Sequence, residues 1–141
     1  MTIRLLGKHD NEQHHKLMNL YKEAIGEAGI STSDYEKVAL AMAKGSIRFY
    51  GVFDNERLIA SCSVSEGFST FALEAFGVFE DFFVHSEYRG KGVAKKLCDY
   101  MFAEERKNGI TSVWVGCADC DIDMYLHLGF KLKLGNLLTS I

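Results

Sequence analysis

An α/β (α+β) domain is the fold class this sequence predicts, and three observations predict it. The first third carries two stretches whose apolar residues keep a helical spacing. The middle alternates apolar and polar residues around a polar turn, then runs into a nearly continuous apolar and aromatic stretch. A loop containing glycines joins that stretch to a long helix. At 141 residues the chain holds one domain, residues 1–141, and has no room for a second of ordinary size.

Thr2 to Leu6 alternates and ends at Gly7, which predicts a short strand. From Glu12 to Ala28, Leu17, Leu20, Tyr21, Ala24, Ile25 and Ala28 share a helical face, with Gly29 placed to close it. Ser31 to Asp34 offers N-caps for a second helix over Asp34 to Ala43, stopped near Gly45. Ile47 to Phe53 and Leu58 to Val64 alternate on either side of Asp54-Asn55-Glu56-Arg57, a hairpin pattern. Gly67 to Ala75 reads as a loop. Phe76 to Val84 reads as a central strand buried on both faces. Val93, Leu97 and Met101 then repeat helically up to Asn108-Gly109. Thr111 to Cys117 is a further strand, and Lys131 to Leu134 alternates like another.

Composition narrows the function classes. With 48% hydrophobic and 25% charged residues the chain can bury a real core, so it is not disordered. A net charge of -3 gives no electrostatic footprint for nucleic acid. No apolar run reaches the ~18 residues a membrane span requires, and the first eight residues are too short and polar for a signal peptide, so a cytoplasmic protein is expected. Proline is absent, which leaves turns to glycine, Asn, Asp and Ser. Of the four cysteines, Cys117 and Cys120 form a C-x-x-C that is either structural, a redox pair or half a zinc site. No second ligand pair of similar spacing accompanies it, so no metal is expected.

Two features of the middle carry chemistry. Glu80 and Asp81 interrupt the apolar central strand, and buried carboxylates cost several kcal/mol unless they are paired or open onto water or a ligand. They therefore either face a solvated cleft or have a catalytic role. By strict alternation Glu80 shares a face with Phe82 and Val84, and Asp81 with Phe83; a bulge would reverse that parity. After the strand, His85-Ser86-Glu87-Tyr88-Arg89-Gly90-Lys91-Gly92-Val93-Ala94-Lys95 opens a helix. Consecutive backbone N–H groups at a helix start suit a phosphate or pyrophosphate. The loop is neither a P-loop, since no Gly-Lys-Ser/Thr ends it, nor a dinucleotide fingerprint, since Lys95 stands at its last position.

Arg89-x-x-Gly92-x-Ala94 resembles the Q/R-x-x-G-x-G/A signature of the GNAT superfamily of acyl-CoA-dependent N-acetyltransferases. The strand before it and Met124-Tyr125-Leu126-His127-Leu128-Gly129-Phe130, which is similar to the family's F-Y-x-x-x-G-F block, lie at matching spacings. The resemblance implies a mixed, mostly antiparallel central sheet with flanking helices and a splayed central strand. It implies acetyl-CoA as cosubstrate, with the pantetheine arm along the backbone of Phe82, Phe83 and Val84. The pyrophosphate would lie on the amides of Gly90, Lys91, Gly92, Val93, Ala94 and Lys95, with Arg89 opening the turn. Tyr125 maps to the general acid for the departing thiolate, and Glu80, with Asp81 in reserve, to the base that deprotonates the amine. The chemistry asks for these roles, because an ammonium cannot attack a thioester and the oxyanion needs a donor.

The sequence departs from the family where an asparagine and an alanine are common; here those positions hold Ala118 and Asp121. Glu80-Asp81, Val84, Glu87 to Lys91 and Cys117 resemble the glucosamine-6-phosphate N-acetyltransferase branch. That branch often completes its sheet with a partner chain, so a homodimer is an expectation. A small-molecule primary amine is the expected acceptor. The alternatives are a protein or peptide amine, or a CoA-binding regulatory module without turnover.

Overall fold

Local sequence chemistry sets most element boundaries in the computed structural model, which describes residues 1–140. Strand β1 (Thr2–Leu5) leads into helix α1 (Asn11–Ala24). The helix ends four residues before the expected Ala28. Gly26, at φ +75°, is the first residue able to take the left-handed conformation without steric cost. Its N–H bonds the Glu23 carbonyl at 3.1 Å, and the Glu27 N–H bonds the Lys22 carbonyl at 2.9 Å, closing the helix in a Schellman pattern. Gly29 serves the connection instead: the neighbouring Ile30 N–H donates to Asn19 Oδ1 at 2.6 Å. Helix α2 (Thr32–Ala43) begins at the Ser31 cap, whose Oγ accepts from the Asp34 N–H at 3.1 Å.

Strands β2 (Ile47–Asp54) and β3 (Arg57–Ser69) form the expected hairpin, with Asn55 at φ +54° in its turn. The expected loop over Gly67 to Ala75 is mostly strand. β3 runs on to Ser69 and pairs antiparallel with β4 (Glu74–Val84) down to Ser69↔Glu74. Alternation is weak there because the hairpin tip buries neither face: Phe68 and Phe71 are exposed. Gly67 has a packing reason, since a Cβ there would meet the Phe76 ring at 2.5 Å. Phe76 lies across it and stacks on Trp114 at 4.1 Å between centroids.

Helix α3 (Val93–Lys107) follows, then β5 (Val113–Val115) and the short helix α4 (Ile122–His127). The sheet order is β1-β2-β3-β4-β5, antiparallel throughout except that β5 runs parallel to β4. The strand expected over Thr111 to Cys117 shrinks to three residues. The one expected at Lys131 to Leu134 does not form; Leu132 and Leu134 are exposed, and Leu137 leans on Gly116, where a Cβ would meet it at 2.8 Å. Alternation of two leucines with lysines is not enough without a partner strand to pair with.

Two apolar clusters build the core. Cys62, Val64 and Phe79 pack with Leu97, Cys98 and Met101 of α3, while Leu17, Met18 and Tyr35 of α1 and α2 pack with Phe49, Phe53 and Leu58. A buried ion pair ties α3 to β2: Arg48 donates twice to Glu105, at 2.9 and 2.6 Å, and Tyr50 Oη donates at 2.5 Å. Among the described residues no helix is long and apolar enough to cross a membrane.

Candidate active site

β4 carries one residue more than β3 over the same span. Ser63 pairs with Glu80 and Ser61 with Phe83, so two steps on β3 face three on β4. Asp81 takes up the difference at φ +49°, a conformation Asp tolerates better than most side chains. The parity of strict alternation therefore reverses, as a bulge requires. Phe82 and Val84 join Phe79 on the α3 face, while Phe83 joins the cluster under α1 and α2.

β5 pairs with β4 only from Gly77↔Val113 to Phe79↔Val115. Beyond Phe79 the strand continues for five more residues with no β5 beside it, so the two strands part at the bulge. Beyond Phe79 that edge of β4 has no ladder partner among the described residues, an edge of the kind an extended ligand can pair with. Val84 lends its carbonyl to Arg89, whose Nε donates at 3.0 Å, and the guanidinium lies 5.4 Å from the Phe83 ring centroid. Arg89 thus fastens the following loop to the strand end.

That loop turns on Gly90 (φ +73°) and Gly92 (φ +77°), and Gly92 caps α3. Nothing lies within 4 Å of a Cβ built on either glycine. Their backbone conformation, not crowding by protein, is what requires glycine. The first intrahelical bond runs from Lys96 N–H to the Gly92 carbonyl at 3.2 Å, which leaves the amides of the first turn without intrahelical acceptors. The side chain of Val93 is buried and Ala94 packs against the core, so only their backbone can serve a ligand. Lys91 lies over the Tyr88 ring at 5.5 Å, and Lys95 pairs with Asp99.

Glu80 is exposed and Asp81 half-buried. Burial pushes the Asp81 carboxyl up, against the pull of Lys22. Tyr21, one residue before that lysine, has its own phenol pushed up by burial and then by Asp81 and Glu80, and its ring lies 5.8 Å from Phe83. Tyr125 packs edge-on to Phe79 at 6.2 Å and to Phe130 at 5.7 Å. Burial, then Asp121 and Cys117, push its phenol up to about 12. It is therefore protonated at neutral pH and able to donate. Leu20, Glu23 and Ala24 of α1 line a groove of about 310 Å³ with Phe83, His85, Ser86 and Arg89. Sequence reading expects the first two helices to wall a cleft, but does not single out the α1 residues that stand beside the strand carboxylates. Tyr21 falls on the apolar spacing of an ordinary packed helix, so nothing local sets it apart.

The chain shares its fold with solved acetyltransferases. A probable acetyltransferase superposes with a TM-score of 0.89 at 20% identity, covering 100% of this chain and 98% of its own. A predicted acetyltransferase from Clostridium acetobutylicum, solved with acetyl-CoA, gives 0.80 at 14% identity, covering 99% and 95%. Glucosamine-6-phosphate N-acetyltransferase from Arabidopsis thaliana gives 0.77 at 15% identity, covering 99% and 98%. At these identities the likeness is one of fold. No curated protein matches the chain in sequence. The model of the acetyltransferase (GNAT) family matches residues 14–130; with the parted strands and the glycine loop, this makes the chain a member of the GNAT family and an acyl-CoA-dependent acetyltransferase.

Proposed function

We propose that this protein, as one domain over residues 1–141, transfers acetyl from acetyl-CoA directly to the primary amine of a small molecule. The observation that carries this reading is the parting of β4 and β5 at the Asp81 bulge, with Tyr125 on one side and the α3 amides at the end of the opening. The backbone of Phe82 to Val84 takes the pantetheine arm, and the amides from Gly90 to Lys95 take the pyrophosphate. A backbone N–H beyond the bulge stabilises the oxyanion. The amine nitrogen attacks the acetyl carbon, the C–S bond breaks, and Tyr125 gives its proton to the leaving thiolate.

The base is one of the two strand carboxylates. Asp81 fits better than Glu80, because a carboxyl raised by burial is a stronger proton acceptor than an exposed one once ionised. Glu23, Glu80 and Asp81 outnumber Lys22 and Arg89 along the α1 side, which favours a cationic acceptor. A protein amine is the second reading, supported by the exposure of the hairpin tip beside the sheet. A homodimer is part of the proposal: the exposed Leu132, Leu134, Leu137 and Leu138 supply an apolar strip for a second copy. Sedimentation showing a monomer at all concentrations would remove it.

Thiol release from acetyl-CoA with a panel of amino sugars, polyamines and peptides tests the function. Release with small amines but not peptides is expected. Release with peptides alone would favour the second reading, and acetyl-CoA binding without any release would leave a CoA-binding module. Tyr125→Phe should lower kcat by about a hundredfold while acetyl-CoA affinity holds; an unchanged kcat would remove Tyr125 as the acid.

A further inference from the structure

We infer that Tyr88, anchored by Asp54, is a positioning residue for the cosubstrate: it holds the loop from His85 to Gly92 in the shape that presents its amides to a pyrophosphate. This rests on the proposed acetyl-CoA site. The loop has little of its own to stay in shape with. The chain has no proline that could fix a φ there. Gly90 and Gly92 turn at positive φ, with nothing within 4 Å of where a Cβ would stand. Glycines that no neighbour holds make an anion site costly to order on binding. Arg89 ties the loop to the Val84 carbonyl on one side; a second tie is needed on the other.

The turn between β2 and β3 supplies it. Asp54, the last residue of β2, accepts from Tyr88 Oη at 2.6 Å across 34 residues of chain. Arg57, the first residue of β3, donates to Glu87 and to His85 Nε2, each at 3.2 Å, and lies 5.9 Å from the Tyr88 ring centroid. Asp54 and Arg57 are cross-strand partners in the hairpin, so the turn grips the loop at two adjacent points. The two grips are unequal. The Arg57–Glu87 pair is exposed on both sides and contributes little. The Tyr88–Asp54 bond is half-buried and has an ionised acceptor, which makes it the stronger. Tyr88 also packs against the core cluster under α3, and Lys91 rests over its ring at 5.5 Å. One side chain therefore sets both the path of the loop and the place of one of its cations.

The experiment titrates the full chain by calorimetry with acetyl-CoA and with S-acetylpantetheine, the same thioester arm without pyrophosphate or nucleotide. Wild type should bind acetyl-CoA more tightly. Tyr88→Phe keeps the ring and loses only the hydroxyl; it should weaken acetyl-CoA about tenfold and leave S-acetylpantetheine within about twofold. Asp54→Ala should match it, and the double variant should be no worse than either single one. Asp54→Asn, whose amide oxygen still accepts, should recover most of the affinity. The kcat at saturating acetyl-CoA should hold in all of them. A merely structural role would weaken both ligands together. That result, an unchanged acetyl-CoA affinity in Tyr88→Phe, or a loss confined to kcat would overturn the inference. The two wild-type affinities separate the causes. If wild type prefers acetyl-CoA and the variants keep that preference, only this inference falls. If wild type binds acetyl-CoA no better than S-acetylpantetheine, or not at all, the pyrophosphate site falls and takes the inference with it.

Discussion

At residue 81, folding and the proposed base role want different things from one carboxylate. Burial raises its pKa, so the folded state prefers the protonated form. A carboxyl raised above its unfolded value favours folding below its unfolded pKa, and that contribution is lost as pH rises through the folded pKa. At neutral pH the ionised group therefore destabilises the fold. Asp81→Asn keeps a residue that tolerates positive φ and removes that charge. The variant should melt at a higher temperature than the wild type at pH 7 while kcat falls by about a hundredfold or more. In the wild type kcat/KM should rise with pH through a midpoint above the usual carboxylate range, and the variant should lack that limb. If Asp81→Asn keeps full activity and Glu80→Gln loses it, the base is Glu80. The sequence marked both carboxylates as anomalous, because acids in an apolar run are costly. The family resemblance puts Glu80 first with Asp81 in reserve; the half-burial of Asp81 beside an exposed Glu80, which only the folded chain creates, favours the opposite order.

Among the elements, the β4–α3 junction is the most legible part of the site. Gly90 and Gly92 are needed for backbone conformation alone, a local requirement that sequence states directly. Gly92→Glu should abolish acetyl-CoA binding by calorimetry, since it brings a negative side chain to the amides proposed to hold the pyrophosphate. Strain at φ +77° adds a stability cost of about 1–2 kcal/mol. Retained binding would move the pyrophosphate elsewhere. The bulge one element earlier was not legible. It arises from a mismatch of register between β3 and β4, and no residue within β4 announces it. The tip of the β3–β4 hairpin reads as a loop over Gly67 to Ala75 for a related reason: its strand ends are held by backbone pairing, and with neither face buried the side chains there carry no alternation.

Over the whole molecule, stability depends on a buried polar group remote from the chemistry. His14 is fully buried, bonded through Nδ1 to Tyr35 Oη at 2.7 Å, with its Nε2 unbonded among the described residues. Burial lowers its pKa to about 4. A histidine lowered below its unfolded value contributes stability that is fully present above the unfolded pKa, near 6.5, and lost as pH falls towards 4. Urea titrations should show stability falling across that window by on the order of 3 kcal/mol from this group. A His14→Gln variant should flatten the slope; an unchanged slope would assign it to other groups.

Read alone, the sequence carried the element order up to β5, the glycine turn that opens α3, and the family motif around Arg89 and Tyr125. Each is written in contacts between residues a few positions apart, where propensity, capping and spacing act directly. Tertiary structure alone decided where β4 and β5 part, which face Glu80 and Asp81 present, and that Tyr21 and Lys22 of α1 stand beside them. It also left the Lys131 to Leu134 segment without the strand its alternation implied. These depend on register and packing between segments far apart in the chain, and such energies exist only once the chain has closed on itself.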